Sequence, residues 1–67
     1  MKNNTFGKKL KELRLERGLS QQRLAENLGF CNQTISFWEI GSREPDLDTL
    51  VKISHYFDVS LEDLLEG

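Results

Sequence analysis

Gly18, Gly29 and Gly41 cut this chain into short stretches, and Pro45 and Asp58 complete the punctuation. Between the breaks, apolar residues recur at spacings of three and four, and no stretch sustains an apolar–polar alternation of two. That pattern predicts an all-α fold of five short helices, each ended by one of the breaks or by the end of the chain. With 67 residues the chain makes one domain, expected over 1–67. A core of that size is modest, so association that buries further apolar surface would add stability.

Helix one is predicted over 5–17, with Phe6, Leu10 and Leu13 on one face and Lys8, Lys9, Lys11 and Glu12 turned away. Ser20 is a good N-cap for helix two, predicted over 21–28, with Leu24, Ala25 and Leu28 inward and Leu19 and Leu24 spaced as a hydrophobic staple. Helix three is predicted over 32–40, and Phe30 and Ile35 repeat the staple spacing around Cys31. Only Gly29, Phe30 and Cys31 separate helices two and three, and a turn that short containing a glycine is a helix-turn-helix signature over about 20–40. Asp46 caps helix four, predicted over 47–57, with Leu47, Leu50, Val51, Ser54 and Phe57 inward. Ser60 caps helix five, predicted over 61–65, where Ser60 with Asp63 imitates a capping box and Val59 with Leu64 forms a third staple.

Net charge is −2, yet it is unevenly spread. Residues 1–23 hold seven Lys/Arg and two Asp/Glu, whereas residues 24–67 hold two and nine. Such asymmetry suits an acidic partner for the basic end, or a set of helix faces charged for solubility. The single cysteine, Cys31, excludes an internal disulfide and a cysteine-based metal site. The first residues, MKNNTFGKKLKEL, lack the apolar core of a signal peptide, and no apolar run approaches the roughly 18 residues of a membrane span. A cytoplasmic protein without membrane contact is expected. His55 has no carboxylate or cysteine constellation near it and reads as a surface or packing residue. No nucleophile–base–orienter set, phosphate loop, metal motif, cofactor motif or evident small-molecule site is present, so no enzyme activity is expected.

These residues resemble the phage-repressor and Cro-like, XRE-type helix-turn-helix family over about 6–65. The likeness rests on Leu13-Arg14, Gly18-Leu19-Ser20-Gln21, Leu24-Ala25, Leu28-Gly29, Ile35-Ser36, Trp38-Glu39, Gly41, Pro45, Leu50, Ile53 and the ending from Val59-Ser60-Leu61 to Leu64-Leu65. The resemblance implies a compact five-helix bundle of the lambda-repressor-like type that binds operator DNA, commonly as a dimer, and regulates transcription, with repression the expected mode. It implies that Gln21 meets the DNA backbone, where its amide and a helix N-terminus can bond a phosphate; the alternative is a solvated amide. It implies a structural ion pair between Arg14 and Glu39. Residues 64–67 fall where the family's domain usually ends.

On an ideal helix of about 100° per residue, Ile35, Trp38 and Glu39 share the side of helix three that faces helices one and two. Gln33, Ser36, Phe37 and Ile40 lie opposite, flanked by Asn32 and Thr34. Asn and Gln can pair bidentately with adenine, and Thr offers a methyl or a hydroxyl. Recognition helices present their N-terminal residues to base edges. Asn32, Gln33, Thr34, Ser36 and Phe37 are therefore the candidate base readers, although a run of Asn-Gln-Thr is also an ordinary polar helix start. Phe37 departs from the polar or basic residue that relatives usually carry there. It suits a thymine methyl, an apolar patch with Ile40 for another protein, or a tolerated exposed ring. Arg43, with Ser42 beside it, is the best basic candidate for a second backbone clamp, and Lys8, Lys9 and Lys11 could supply long-range attraction. Cys31 stands at an N-cap where relatives tend to have Ser or Thr. It reads as a half-buried small hydrophobe, with an oxidation-sensitive thiolate as the alternative.

The expected partner is a pseudo-palindromic double-stranded operator, bound by a homodimer formed through Tyr56, Val59, Leu61 and Leu65. Without a basic surplus, its salt dependence should be shallower than that of strongly basic binders. The rival readings are a protein-interaction module or antitoxin component that keeps the fold with weak or no DNA binding of its own, and a redox sensor acting through Cys31.

Overall fold

The N-termini of three of the helices are set by local side chains. In a computed structural model, which describes residues 5–66, Ser20, Asp46 and Ser60 each accept the backbone N–H three residues on, from Arg23, Thr49 and Asp63 at 3.0, 2.9 and 3.0 Å. Each bond satisfies one of the amides that a helix start leaves without a partner. The helices are α1 (Thr5–Glu16), α2 (Gln21–Leu28), α3 (Asn32–Ile40), α4 (Leu47–Phe57) and α5 (Leu61–Glu66), and no strand occurs among the described residues. α1 stops one residue short of the predicted Arg17, and α5 runs one residue beyond the predicted end. The outermost residues of the expected 1–67 domain, including Gly67, lie outside the described residues.

The helix ends share one device. Gly18, Gly29, Gly41 and Asp58 all have positive φ. The following N–H then bonds back to a carbonyl of the last turn: Leu19 to Arg14, Phe30 to Ala25, Ser42 to Phe37 and Val59 to Ser54, at 2.8–3.0 Å. This is the Schellman closure. It matters most at Gly29, where φ of 84° turns the chain from α2 into α3. A Cβ there would meet only Lys52 Nζ, at 3.8 Å. The cost of a side chain is thus backbone strain and not a clash. Gly29→Ala should destabilise the domain by about 1–2 kcal/mol in urea unfolding.

The core is built from Phe6, Leu10 and Leu13 of α1, Leu24, Ala25 and Leu28 of α2, Ile35 and Trp38 of α3, Leu50, Ile53 and Phe57 of α4, and Leu64 of α5. Trp38 sits edge-on to Phe6 at 6.5 Å and to Phe30 at 5.1 Å between ring centroids, so one indole joins α1, the turn and α3. α3 packs on both α1 and α2, and α5 packs on α1 and α4. One inward expectation fails: Leu47 is 67% exposed. It shares a face with Leu50, but it opens α4 before that helix reaches the core, and burial begins one turn later. Val51, also expected inward, is half-buried.

Candidate nucleic-acid interface

Beyond the apolar core, one carboxylate ties α1, α2 and α3 together. Arg14 Nε donates to Glu39 Oε2 at 2.7 Å and Nη2 donates to Oε1 at 3.1 Å, a two-point pair between α1 and the end of α3. Arg14 Nη1 donates to the Leu19 carbonyl at 2.8 Å, which ties in the chain just before α2. The side chains are only 9% and 3% exposed, so this charge pair is held away from water. Gln21 adds a third tie, its Nε2 donating to Glu39 Oε1 at 3.0 Å. Neither the phosphate reading nor the solvated reading of Gln21 foresaw that inner partner. An amide nitrogen carries two N–H groups, so one remains for an outside acceptor.

On α3, Ile35, Trp38 and Glu39 are buried, while Asn32, Gln33 and Phe37 are exposed and Thr34 and Ser36 are half-exposed. All five candidate readers thus reach the surface, and Ile40 beside them is exposed too. Thr34 Oγ1 lies 3.2 Å from Cys31 Sγ, so its hydroxyl has a neighbour already. Cys31 is exposed, which corrects the half-buried expectation. Phe30 supplies the packing against Trp38, and the thiol turns instead toward Thr34. The side-chain hydrogen bond with Thr34, helped by the nearby amides at the start of α3, holds the thiol below its ordinary pKa. As an N-cap it makes no side-chain bond to the backbone.

The C-terminal end of α3 carries the basic element. Ser42 and Arg43 are exposed, and the Arg43 guanidinium carbon lies 5.2 Å from the centroid of the Phe37 ring. An open groove of about 400 Å³ runs from the start of α3 to the start of α4, with Gln33, Phe37 and Arg43 among its walls.

Part of the basic surplus in the first third of the chain is engaged within the molecule. Arg14 is paired with Glu39, and Arg17 donates to the Phe57 carbonyl at 3.0 Å and lies over the Phe57 ring. Arg23 lies 4.0 Å from Glu26 on an exposed face. Lys8 and Lys11 are exposed and Lys9 is half-exposed. Lys52 was not singled out from the sequence. Its Nζ donates to the Leu28 carbonyl at 2.6 Å and lies over the Phe30 ring, which fixes the turn between α2 and α3 from α4. Nothing local in the sequence marks that bond, because its partner is a backbone carbonyl on another helix.

Tyr56, Val59, Leu61 and Leu65 are half-buried and lean on the edge of the core. The Tyr56 hydroxyl accepts from Asn27 Nδ2 at 2.8 Å. Among the described residues no group of His, Cys, Asp and Glu is placed to hold a metal ion, and no helix is long and apolar enough to cross a membrane.

A family profile described as helix-turn-helix matches residues 10–64. The SPbeta prophage-derived uncharacterized HTH-type transcriptional regulator YonR of Bacillus subtilis is 48% identical over 62 residues, covering 92% of this chain and 57% of the relative. Among solved structures, a transcriptional regulator from Listeria innocua superposes with a TM-score of 0.82 at 30% identity, over 88% of this chain and 55% of that one. The restriction-modification controller protein C.AhdI of Aeromonas hydrophila superposes with a TM-score of 0.77 at 34% identity, over 88% of this chain and 86% of that one. The chain thus spans little more than half the length of the curated relative.

Proposed function

This chain belongs to the XRE-type helix-turn-helix family, and from that premise we propose that it is a sequence-specific DNA-binding transcriptional regulator, a repressor without catalytic activity, working in the cytoplasm. The observation that carries the reading is the division of α3: its apolar side is locked to α1 and α2, and its N-terminal end offers Asn32, Gln33 and Thr34 outward. In the proposed complex α3 lies in the major groove. Asn32, Gln33, Thr34 and Ser36 meet base edges, and Phe37 borders them. Gln21 spends one N–H on Glu39 and gives the other to a phosphate, while Ser42 and Arg43 clamp the backbone at the far end. Arg14 and Glu39 touch no DNA. They set the angle of α3 against its scaffold.

One such domain reads too few base pairs to find a site. Each good bidentate contact is worth about 1–3 kcal/mol, and a two-fold dimer doubles them. We place the dimer surface at Tyr56, Val59, Leu61 and Leu65, which keep one side open after leaning on the core. The two copies of α3 then stand about 34 Å apart, one turn of DNA. Because Arg14 and Arg17 are committed internally, phosphate contacts are few and the salt dependence of binding is shallow. Selection of bound duplexes from a random-sequence pool tests the proposal. Enrichment of an inverted repeat with half-sites about one helical turn apart is the expected result. A pool that stays random through successive rounds would favour the protein-interaction reading instead.

A further inference from the structure

Phe37 is a large apolar side chain on the proposed reading face, and it is 38% exposed. Its ring does not stand alone. The Arg43 guanidinium lies over it at 5.2 Å. The backbone holds the two residues together as well: the Phe37 carbonyl accepts the N–H of Ser42 at 3.0 Å and that of Arg43 at 3.4 Å. Gly41, with φ of 80°, turns the chain so that this closure forms. Among the described residues the ion pairs are Arg14–Glu39 and Arg23–Glu26, so no described carboxylate pairs with Arg43.

We propose that Phe37 is a positioning residue: its ring is a platform that holds the Arg43 guanidinium ready to grip a DNA phosphate at the C-terminal end of α3. This rests on the DNA-binding reading above. A ring on one side of the guanidinium leaves its other sides open. Its five N–H donors are not consumed by the ring contact and can turn to a phosphate. A long, flexible arginine loses conformational freedom when it docks, and an arginine already restrained on a ring has less to lose. The same logic accounts for an aromatic residue where a polar or basic one is expected. Phe37 then affects affinity through Arg43, with little dependence on which base lies nearby.

The test is a set of dissociation constants on the selected operator, taken across a salt series, with folding checked by circular dichroism. Arg43→Ala should lower the salt slope by about 1.8, the share of two phosphate contacts, one from each copy in the dimer. Phe37→Ala and Phe37→Leu should each weaken binding roughly 5- to 30-fold, the equivalent of two exposed cation–π contacts, one in each copy of the dimer. Phe37→Tyr, which keeps a ring face, should bind like the wild type. The Phe37→Ala, Arg43→Ala double variant should bind no more weakly than Arg43→Ala alone, and replacing operator thymines by uracil should leave the Phe37→Ala loss unchanged. Additive losses in the double variant would overturn the platform, as would a Phe37→Ala loss that vanishes on uracil DNA, the mark of a methyl contact. If wild-type protein selects no operator, the DNA-binding reading itself has failed, and that result precedes any variant.

Discussion

Glu39→Ala is expected to destabilise the domain by about 3–5 kcal/mol, which would leave much of the protein unfolded at 25 °C. The reason is what it leaves behind. Arg14 is anchored at three nitrogens, two on Glu39 and one on the Leu19 carbonyl, with a side chain only 9% exposed. Removing the carboxylate strands a charge where water cannot replace the partner. A core from 67 residues has little stability in reserve, on the order of 3–5 kcal/mol. Removing both charges is a different experiment. An Arg14→Met, Glu39→Leu protein should recover most of the loss, because buried pairs often exchange for apolar residues at little net cost. It should still bind DNA less well than wild type, since Gln21 loses the acceptor that holds its amide at 3.0 Å. Urea unfolding of the two single variants and the double variant measures the coupling directly. A Glu39→Ala cost below about 1 kcal/mol, in the range of surface pairs, would show that the pair does not organise the fold.

Leu65→Glu should break the proposed dimer with a larger effect on binding than any single DNA contact. On α5, Leu64 is wholly buried, while Leu61 and Leu65 flank it half-exposed, one helical turn apart. A carboxylate at position 65 can reach water in a monomer. Between two copies it would be buried without a partner. Sedimentation should then report a monomer, circular dichroism should be unchanged, and operator affinity should fall by at least about 100-fold as the second half-site loses its tether. A monomeric variant with wild-type affinity would mean that one domain suffices. A variant that remains dimeric would move the interface away from α5.

The fold was legible because most of its determinants are local. Ser20, Asp46 and Ser60 cap by reaching three residues forward, and the left-handed residues end helices by closing the turn just passed, so each signal and its effect lie within a few residues. The inward faces followed from period alone, with Leu47 the instructive failure. Period gives the direction of a side chain around the helix axis and says nothing of how far along that axis the core extends. Cys31 failed for a related reason: the turn's one buried direction was taken by Phe30.

The site was legible in part. The outward set on α3 could be read from helix geometry, and the Arg14–Glu39 pair from family resemblance. The bonds that make the site rigid could not. Gln21 to Glu39, Lys52 to the Leu28 carbonyl and Phe37 to Arg43 join residues from different elements or across a loop, and no spacing rule announces them. The charge count misled in the same way. Arg14 and Arg17 belong to the basic end of the sequence, yet Arg14 is buried against a carboxylate and Arg17, though exposed, is engaged by the carbonyl and ring of Phe57.

The central claim is that the N-terminal end of α3 reads bases, and Gln33 is one of its two exposed amide candidates. The direct measurement is the affinity of wild-type protein and of Gln33→Ala for the selected operator and for every single base-pair substitution within it. Wild-type protein should discriminate by about 1–3 kcal/mol at the contacted positions. Gln33→Ala should erase that discrimination at one position in each half-site, the two related by the dyad, and leave the other positions as they were. Uniform weakening at every position would contradict the claim, because it would make Gln33 a backbone or structural residue and leave α3 without its proposed reader.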